Sequence, residues 1–167
     1  MSEANSNLSV ERCRDVFDYD PMVGHLTIRV STSRSRKVGD IAGWVSNKGY
    51  VKVRLDSFTY AAHRLIWFRT HGQWPTGVID HINGIRHDNR LSNLRDVSGF
   101  VNAQNMKSSP VTNQTSGLLG AYPSGNRWKS KIVAMGKMYH LGSFATAEEA
   151  HQSYLMAKRL FHPGCTI

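Results

Sequence analysis

The sequence has few cysteines and no long apolar run. Only two of its 167 residues are cysteine, Cys13 and Cys165, which lie near opposite ends without a C-x-x-C pair. A disulfide scaffold is therefore not expected, and a structural zinc site would need unusual ligands. No stretch of about 18 apolar residues occurs, so we expect no membrane span. The polar first segment lacks the apolar core of a signal peptide, and we expect a cytoplasmic protein.

Acidic residues are also scarce. The 12 Asp and Glu residues are outnumbered by 21 Lys and Arg, which gives a formal net charge of +9. Such a charge favours a polyanionic partner, and nucleic acid is the commonest one. Hydrophobic residues make up 40% of the chain and charged residues 20%, as in an ordinary globular protein. The length suits one or two small domains.

Positive charge is concentrated between Gly24 and Arg54, which contains seven cations and a single acidic residue, Asp40. Alternating runs at 25–30 and 50–55 predict half-buried strands, with Lys52 and Arg54 on one face of the second. The polar stretch between them predicts an exposed loop with Arg34, Arg36 and Lys37. A basic strand face beside a basic loop can track phosphates, and a merely solvated face is an equally good interpretation of this region alone.

A polar gap from Lys107 to Gly117 has the composition of a linker. We therefore predict domains at 1–107 and 117–167, joined by 108–116. After the gap, alternation and turn residues predict strands at 119–123, 127–134 and 137–144. The pattern Thr146-Ala-Glu-Glu149 fits a helix capping box. Five residues at helical spacing form a core stripe behind it: Ala147, Ala150, Tyr154, Ala157 and Phe161.

The segment around Asp80 and His81 bears the most chemistry. Val78 and Ile79 predict a short buried strand that ends at this pair, and 96–106 can form a helix with Asn102. Carboxylate and amide oxygens are hard donors, suited to Mg²⁺ or Mn²⁺. A site with two such ligands leaves positions for water and phosphate oxygens. A lone Asp-His pair is usually a satisfied surface pair and Asn-rich loops are usually turns, so the specificity lies in the combination and its spacing.

The stretch from about Phe17 to Asn105 resembles the HNH endonucleases, in particular phage and intron-encoded homing endonucleases with a ββα-metal fold. The motif core covers about 62–106. The matching residues are Asp18-Tyr19-Asp20-Pro21, Gly24, Gly39, Ala42-Gly43, Gly49-Tyr50, Ala62-His63-Arg64-Leu65-Ile66-Trp67, Asp80-His81, Asn83-Gly84, Asp88-Asn89-Arg90, Asn93-Leu94-Arg95 and Asn102 to Asn105.

The resemblance implies a role for each motif position. His81 would be the general base, and Asn93 would hold the loop and orient that histidine. Asp80 and Asn102 would hold one Mg²⁺ or Mn²⁺ ion per active site. Asn102 occupies the third motif position, which is the second histidine in the name HNH. Asparagine at this position is usual in the homing branch. Arg64 would contact phosphate, whereas His63 is equally well explained by packing or by a place in the site.

The C-terminal segment from about Ser116 to Phe161 resembles the Apetala-type, ethylene-response-factor DNA-binding domain. The resemblance is carried by Gly120-Ala121-Tyr122, Arg127-Trp128, Ile132, His140-Leu141-Gly142-Ser143-Phe144, Thr146-Ala147-Glu148-Glu149-Ala150 and Tyr154. It implies a three-stranded sheet in the major groove. The DNA-facing positions would be Tyr122, Ser124, Arg127, Lys129, Lys131, Met138 and His140. Most arginines of the plant domains are missing here, so their target sequence does not carry over.

Together these patterns predict an α+β protein. We expect a ββα-metal HNH nuclease domain with N-terminal antiparallel strands, followed by a three-stranded antiparallel sheet packed on one helix. The resemblances imply a site-specific, metal-dependent endonuclease of the homing type. It would act as a monomer on double-stranded DNA, without an obligate protein partner, and nick one strand per active site. If it is phage-encoded, it works in the host cytoplasm. The alternatives are a DNA-binding regulatory protein on an HNH scaffold that no longer cuts, and a nonspecific nuclease of the toxin type.

Overall fold

The structure is a computed structural model that describes residues 7–31, 35–106 and 115–166. The chain divides into two compact units, the N-terminal unit (1–98) and the C-terminal unit (99–167). The predicted linker falls mostly outside the described residues, which include only Thr115 and Ser116 of it. Residues 99–106 belong to the C-terminal unit, although the predicted nuclease domain extends to 107. The functional boundary between the two domains stays a prediction.

The N-terminal unit is built from short antiparallel sheets and two helices. In chain order its elements are α1 (Val10–Val16), β1 (Phe17–Asp20), β2 (His25–Ile28), β3 (Trp44–Val45), β4 (Val51–Leu55), β5 (Phe58–Ala61), α2 (Ala62–His71), β6 (Val78–His81), a 3₁₀ turn (Leu91–Asn93) and β7 (Leu94–Val97). The strands pair as β1-β2, β3-β4-β5 and β6-β7, all antiparallel.

The core of this unit forms between β4, β1 and the two helices. Val53, Phe17, Leu65 and Ile66 are each completely buried. Burying each of these side chains stabilises the fold by roughly 1.5–3 kcal/mol relative to leaving it exposed. Because β4 alternates, Lys52 and Arg54 lie on the face opposite Val53, as predicted.

The turn between β1 and β2 packs on the backbone that follows β6. Gly24 in this turn has a φ of 76°, a conformation that favours glycine. A Cβ at Gly24 would lie only 2.4 Å from the Arg90 backbone nitrogen. Tyr19 of β1 reaches the same segment, since its hydroxyl donates to the Asn89 carbonyl (3.2 Å) and accepts from the Leu91 amide (3.0 Å). The first hairpin therefore fixes the backbone at 89–91.

The C-terminal unit is a three-stranded antiparallel sheet with one long helix packed on it. Its elements are α3 (Gly99–Gln104), β8 (Ala121–Ser124), β9 (Arg127–Ala134), β10 (Lys137–Phe144) and α4 (Ala147–Phe161). The strand order is β10-β9-β8, and α4 contacts all three strands. The predicted capping box is confirmed, because Thr146 Oγ1 accepts from the Glu149 amide (3.1 Å) and Glu149 Oε2 accepts from the Thr146 amide (3.3 Å).

The α+β class and the antiparallel sheets are confirmed, and β9 and β10 have the predicted bounds. The helix predicted at 96–106 is wrong in its first residues, because β7 continues to Val97 and α3 begins at Gly99. The cause is a tertiary contact: the Asp96 carboxylate accepts hydrogen bonds from the Thr76 and Gly77 amides, both 2.8 Å long. The ββα-metal arrangement stays a prediction.

The predicted core stripe of α4 is only partly buried. Ala147, Ala150 and Ala157 are buried, whereas Phe161 is exposed at the end of the helix, where its ring stacks on Tyr139. No helix in the described part of the chain is long and apolar enough to cross a membrane.

Candidate functional site

The antiparallel pair β6-β7 positions the Asp-His pair. Asp80 and His81 end β6 and are 6% and 5% exposed. Their partners across the pair are Arg95 and Leu94. Adjacent strand residues point to opposite faces, so the carboxylate and the imidazole face different surroundings.

Asp80 forms an ion pair with Arg95. The Arg95 Nε donates to Asp80 Oδ2 at 2.9 Å, and Nη2 lies 2.7 Å from the same oxygen. A buried carboxylate without a partner would be costly, and this pairing across the strands offsets the cost. Arg95 matched the motif in the sequence, but no role was predicted for it.

His81 is held through one ring nitrogen. Its Nε2 lies 3.0 Å from Asn89 Oδ1, and both side chains are buried. An amide oxygen only accepts, so Nε2 carries the proton and the lone pair of the neutral ring lies on Nδ1. Burial lowers the pKa of His81 below its ordinary value of 6.5. The imidazole is therefore neutral at neutral pH, the form that a general base requires.

Two rings pack against the imidazole of His81. The His63 ring lies edge-on at a centroid distance of 5.1 Å, and the Tyr50 ring lies at 5.9 Å. The Arg86 guanidinium sits over the Tyr50 ring at 5.2 Å. His63 is 8% exposed, and its Nδ1 has no hydrogen-bond partner among the described residues. Burial lowers the pKa of His63 to about 3, so this ring is neutral as well.

Asn93 closes the loop between β6 and β7. Its Oδ1 accepts from the Asn83 amide at 2.9 Å, and its Nδ2 donates to the Asp88 carbonyl at 2.8 Å. Asn83 Nδ2 donates in turn to Asp88 Oδ2, 2.7 Å away. Asp88 also pairs with Arg90, whose guanidinium holds the pKa of that carboxyl at about 2. The loop that carries Asn89 is thus cross-linked by hydrogen bonds among Asn83, Asp88, Arg90 and Asn93.

Asn102 lies on α3 and is half-buried. It belongs to the C-terminal unit and Asp80 to the N-terminal unit, so their pairing on one metal ion stays a prediction. No group of three or more His, Cys, Asp or Glu side chains that could hold a metal ion occurs among the described residues. Of the two predicted ligands, Asp80 and Asn102, only Asp80 is such a side chain. The carboxylate and amide oxygens of the two residues suit Mg²⁺ or Mn²⁺.

The predicted DNA-binding cations of the N-terminal unit occupy three places. Lys52 and Arg54 lie on the outward face of β4, and Arg36 approaches them because its Nη1 donates to the Arg54 carbonyl at 2.9 Å. Lys37 is exposed in the preceding loop. Arg64 follows His63 on α2 and donates from Nη1 to the Gly77 carbonyl (3.2 Å), next to β6. Arg34 lies outside the described residues.

The predicted DNA-facing residues of the C-terminal unit share the open face of its sheet. Tyr122 pairs with Lys129 across the strands, and Lys131 pairs with His140. Lys131 Nζ lies 5.2 Å from the centroid of the Tyr122 ring. Arg127 on the central strand β9 donates to Ser143 on β10. These side chains, with Ser124 and Met138, stand on the face opposite α4.

Sequence reasoning gave no role to Asn89, Arg95 or Tyr50, although all three belong to the quoted motif residues. Asn89 binds the imidazole of His81, and Arg95 binds the carboxylate of Asp80. The side-chain types were the available signal. The amide of Asn89, eight residues after His81, can bind the ring nitrogen, and the guanidinium of Arg95, fifteen residues after Asp80, can bind the carboxylate. Tyr50 is remote in sequence and gave no local signal.

Comparison with known proteins places the site in a family. A family model described as HNH endonuclease matches residues 60–104, which include Asp80, His81, Asn93 and Asn102. The chain is 38% identical to Protein 3.8 of Escherichia phage T7 over 84 residues, which make up 48% of this chain and 68% of that protein. No solved structure matches the chain. These findings do not support the Apetala-type resemblance of the C-terminal unit.

Proposed function

The chain belongs to the same family as Protein 3.8 of phage T7 and contains an HNH endonuclease domain, and from that premise we propose that it is a metal-dependent, site-specific DNA endonuclease of the homing type. The HNH domain indicates a nuclease, and a nuclease of this class acts on DNA. The observation that carries the more detailed proposal is the buried, neutral imidazole of His81, oriented by Asn89 within the matched segment.

In the proposed reaction His81 is the general base. Its Nδ1 lone pair takes a proton from a water molecule, whose oxygen attacks the scissile phosphorus. A P–O bond to that oxygen forms, the bond to the 3′ oxygen breaks, and the 3′ oxygen takes up a proton from solvent. Asn93 supports the reaction by closing the loop in which Asn89 lies. A positioned base of this kind contributes about 10²–10⁴-fold to the rate.

The metal ion would be held by Asp80 and Asn102. When bound, Mg²⁺ or Mn²⁺ supplies positive charge that stabilises the phosphate and the departing 3′ oxygen in the transition state. The chain's own contribution is the placement of two oxygen donors. Arg95 keeps the Asp80 carboxylate in one orientation through its bonds to Oδ2.

DNA contacts are proposed for both units. In the N-terminal unit the phosphate contacts are Arg34, Arg36, Lys37, Lys52, Arg54 and Arg64. In the C-terminal unit we propose that the open sheet face, with Tyr122, Arg127, Lys129, Lys131 and His140, enters a groove in the manner of an Apetala-type domain. The support for this is the exposed, basic face and the aromatic ring beside Lys131.

One active site per chain acts on one strand at a time. We therefore propose that a monomer nicks its target and that a double-strand break requires two events.

A plasmid assay tests the proposal. A supercoiled plasmid library with random inserts is incubated with the full chain and Mg²⁺, and the ends of the relaxed products are sequenced. We expect nicks at one recurring sequence, none in excess chelator, and none with His81→Ala. His71→Ala is the matched control, because His71 is exposed on α2, where its ring stacks on Trp67.

Three other results would each support a different conclusion. Nicking by His81→Ala at the rate of the wild type would overturn the assignment of the base. Nicks without a recurring sequence would favour a nonspecific nuclease. Specific binding without any nick in Mg²⁺ or Mn²⁺ would favour the alternative, a DNA-binding protein that does not cut.

A further inference from the structure

The helix that carries Asn102 is too short to be stable by itself. α3 has six residues, whereas isolated helices below about 12 residues are marginal in water. It also buries little apolar surface, because Phe100 is 62% exposed. Its buried end is polar instead, since Gln104 and the following Asn105 are 6% and 7% exposed. Contacts to the end of this segment therefore contribute to the position of Asn102.

Residues near the C-terminus supply those contacts. The Gly164 amide donates to Gln104 Oε1 at 3.1 Å, in a buried position. The Thr166 hydroxyl is hydrogen-bonded to Asn105 Oδ1, and Lys158 Nζ of α4 donates to the Met106 carbonyl. All of these residues belong to the C-terminal unit. The last residue of α3 and the two residues that follow it are thus each bonded to the stretch 158–166.

Lys158 is unusual in being buried. It is 1% exposed, whereas lysine is almost never fully buried without a partner. Removing an ammonium group from water costs several kcal/mol unless hydrogen bonds compensate. The bond to the Met106 carbonyl, at the end of the α3 segment, is one such compensation. A lysine serving only to pack α4 would be a poor choice for this position.

Gly164 packs closely against α3. A Cβ at this position would lie 2.2 Å from the Val101 carbonyl oxygen and 2.9 Å from Gln104 Cβ. Val101 directly precedes Asn102, so the last residues of the chain touch the backbone of α3 next to that side chain. Any residue other than glycine would force this backbone to shift.

We infer that residues 158–166 are a positioning segment for Asn102, so that the C-terminal unit sets one ligand of the metal site in addition to contacting DNA. The inference rests on the proposed function, in which Asn102 binds the ion. The C-terminal unit then has a second role besides contacting DNA, although a predicted linker separates most of it from the nuclease motif.

Metal binding tests the inference without any need for cleavage. Mn²⁺ is titrated into the full chain and its binding is followed by electron paramagnetic resonance, for Gly164→Ala, Lys158→Met and Thr166→Val. Loss of residues that orient a metal ligand costs about 10–100-fold in affinity, and we expect about 10-fold weaker Mn²⁺ binding. Leu160→Ala is the matched control, since Leu160 is 80% exposed on the same helix and should leave the affinity unchanged. Faster amide hydrogen exchange at 99–106 in the same variants is the second expected result.

A double-mutant cycle with Asn102→Ala separates positioning from a general loss of structure. If the segment acts through Asn102, Gly164→Ala should have no further effect once Asn102 is alanine. An equal loss of Mn²⁺ affinity in both backgrounds would overturn the inference, as would unchanged affinity in folded variants. Thr166→Val removes one hydroxyl near the chain end and keeps the test valid if Gly164→Ala does not fold.

The same data distinguish the inference from the proposed function. Wild-type Mn²⁺ affinity in Asn102→Ala would refute the ligand assignment, and with it the proposed metal site. Weakened binding in Asn102→Ala together with normal binding in all three positioning variants would refute the inference alone.

Discussion

The side chains proposed to do chemistry and those proposed to hold DNA differ most in burial. Asp80, His81 and Asn93 are 5–6% exposed, and each is hydrogen-bonded to a specific neighbour in the N-terminal unit. Arg127, Lys129 and His140 of the C-terminal unit are exposed on an open sheet face. Buried polar groups depend on the geometry of their partners, whereas exposed charges act nearly independently. Substitutions in the first set should therefore change the rate of cleavage, and those in the second set should change affinity.

After the loss of His81 itself, the largest effect is expected at Asn89. Asn89→Ala leaves Nε2 of the buried His81 without its acceptor, so the ring loses its orientation. We expect cleavage to slow on the order of 10²-fold with little change in DNA affinity, because a positioned base is worth about 10²–10⁴-fold. Single-turnover cleavage and a binding titration on the same duplex measure the two effects.

Asn89→Asp provides the rescue for that experiment. It restores an acceptor and adds a negative charge, which raises the pKa of His81. The acid limb of its rate profile should therefore move to higher pH. The limb of the wild type should lie below pH 6.5, since the pKa of His81 is lowered and the base works only when neutral. Full activity in Asn89→Ala would show that Asn89 does not orient the ring.

The second effect is an acid sensitivity caused by His63. Its pKa is about 3 in the folded protein and about 6.5 when unfolded, so between these values the unfolded state binds more protons. The free energy of unfolding therefore rises with pH in this window, by up to about 1.4 kcal/mol per unit for one group. His81, Arg64 and Lys52 lie close enough to add to the shift. The contribution is complete above pH 6.5 and is lost as the pH falls towards 3.

Urea unfolding of His63→Leu between pH 4 and pH 7 checks this expectation. The slope of unfolding free energy against pH should be shallower than in the wild type, whatever the change in absolute stability. Equal slopes in wild type and His63→Leu would mean that His63 is not neutral and buried.

The third effect is confined to DNA affinity. Lys129→Ala removes one exposed cation from the sheet face of the C-terminal unit. The slope of log affinity against log salt should fall by about 0.9 if one phosphate contact is lost, and the cleavage rate at saturating DNA should not change. Lys137→Ala is the control, because Lys137 pairs with the buried Ala134 in the row that faces α4. A slower cleavage rate in Lys129→Ala would contradict the division into buried residues that change the cleavage rate and exposed residues that change DNA affinity.

The smallest effect is expected at a residue outside both sets. Thr146→Ala removes the capping box of α4 and should destabilise the C-terminal unit by about 1 kcal/mol. Thermal unfolding measures this loss. The cleavage rate at low temperature and the salt slope should both stay at their wild-type values, which makes this variant a control for nonspecific destabilisation.

Local patterns in the sequence predicted local structure well. Alternation with turn residues predicted β9 and β10 with their observed bounds, and the capping box predicted the start of α4. The helix predicted from Asp96 was wrong there, because the carboxylate of Asp96 binds the amides at 76 and 77, twenty residues earlier. That contact depends on the register of β6 against β7, which no local pattern encodes.

The site residues follow the same division. Asp80, His81 and Asn93 were predicted from the resemblance to the HNH family, but the bonds from Asn89 to His81 and from Arg95 to Asp80 depend on how the loop at 82–93 folds back. Tyr50 packs against His81 from a hairpin about thirty residues earlier in the chain. The anchoring of α3 by residues 158–166 joins segments separated by more than fifty residues. Such contacts are a property of tertiary packing and leave no periodic trace in the sequence.

The proposed separation between a buried cleavage site and an exposed DNA-binding face is tested most directly by measuring cleavage and binding on one target duplex with two variants. We predict that His81→Ala abolishes single-turnover cleavage in Mg²⁺ and keeps wild-type DNA affinity. Lys129→Ala should weaken affinity and keep the wild-type cleavage rate at saturating DNA. If His81→Ala cuts at the wild-type rate, or if each variant changes both quantities alike, the account is contradicted.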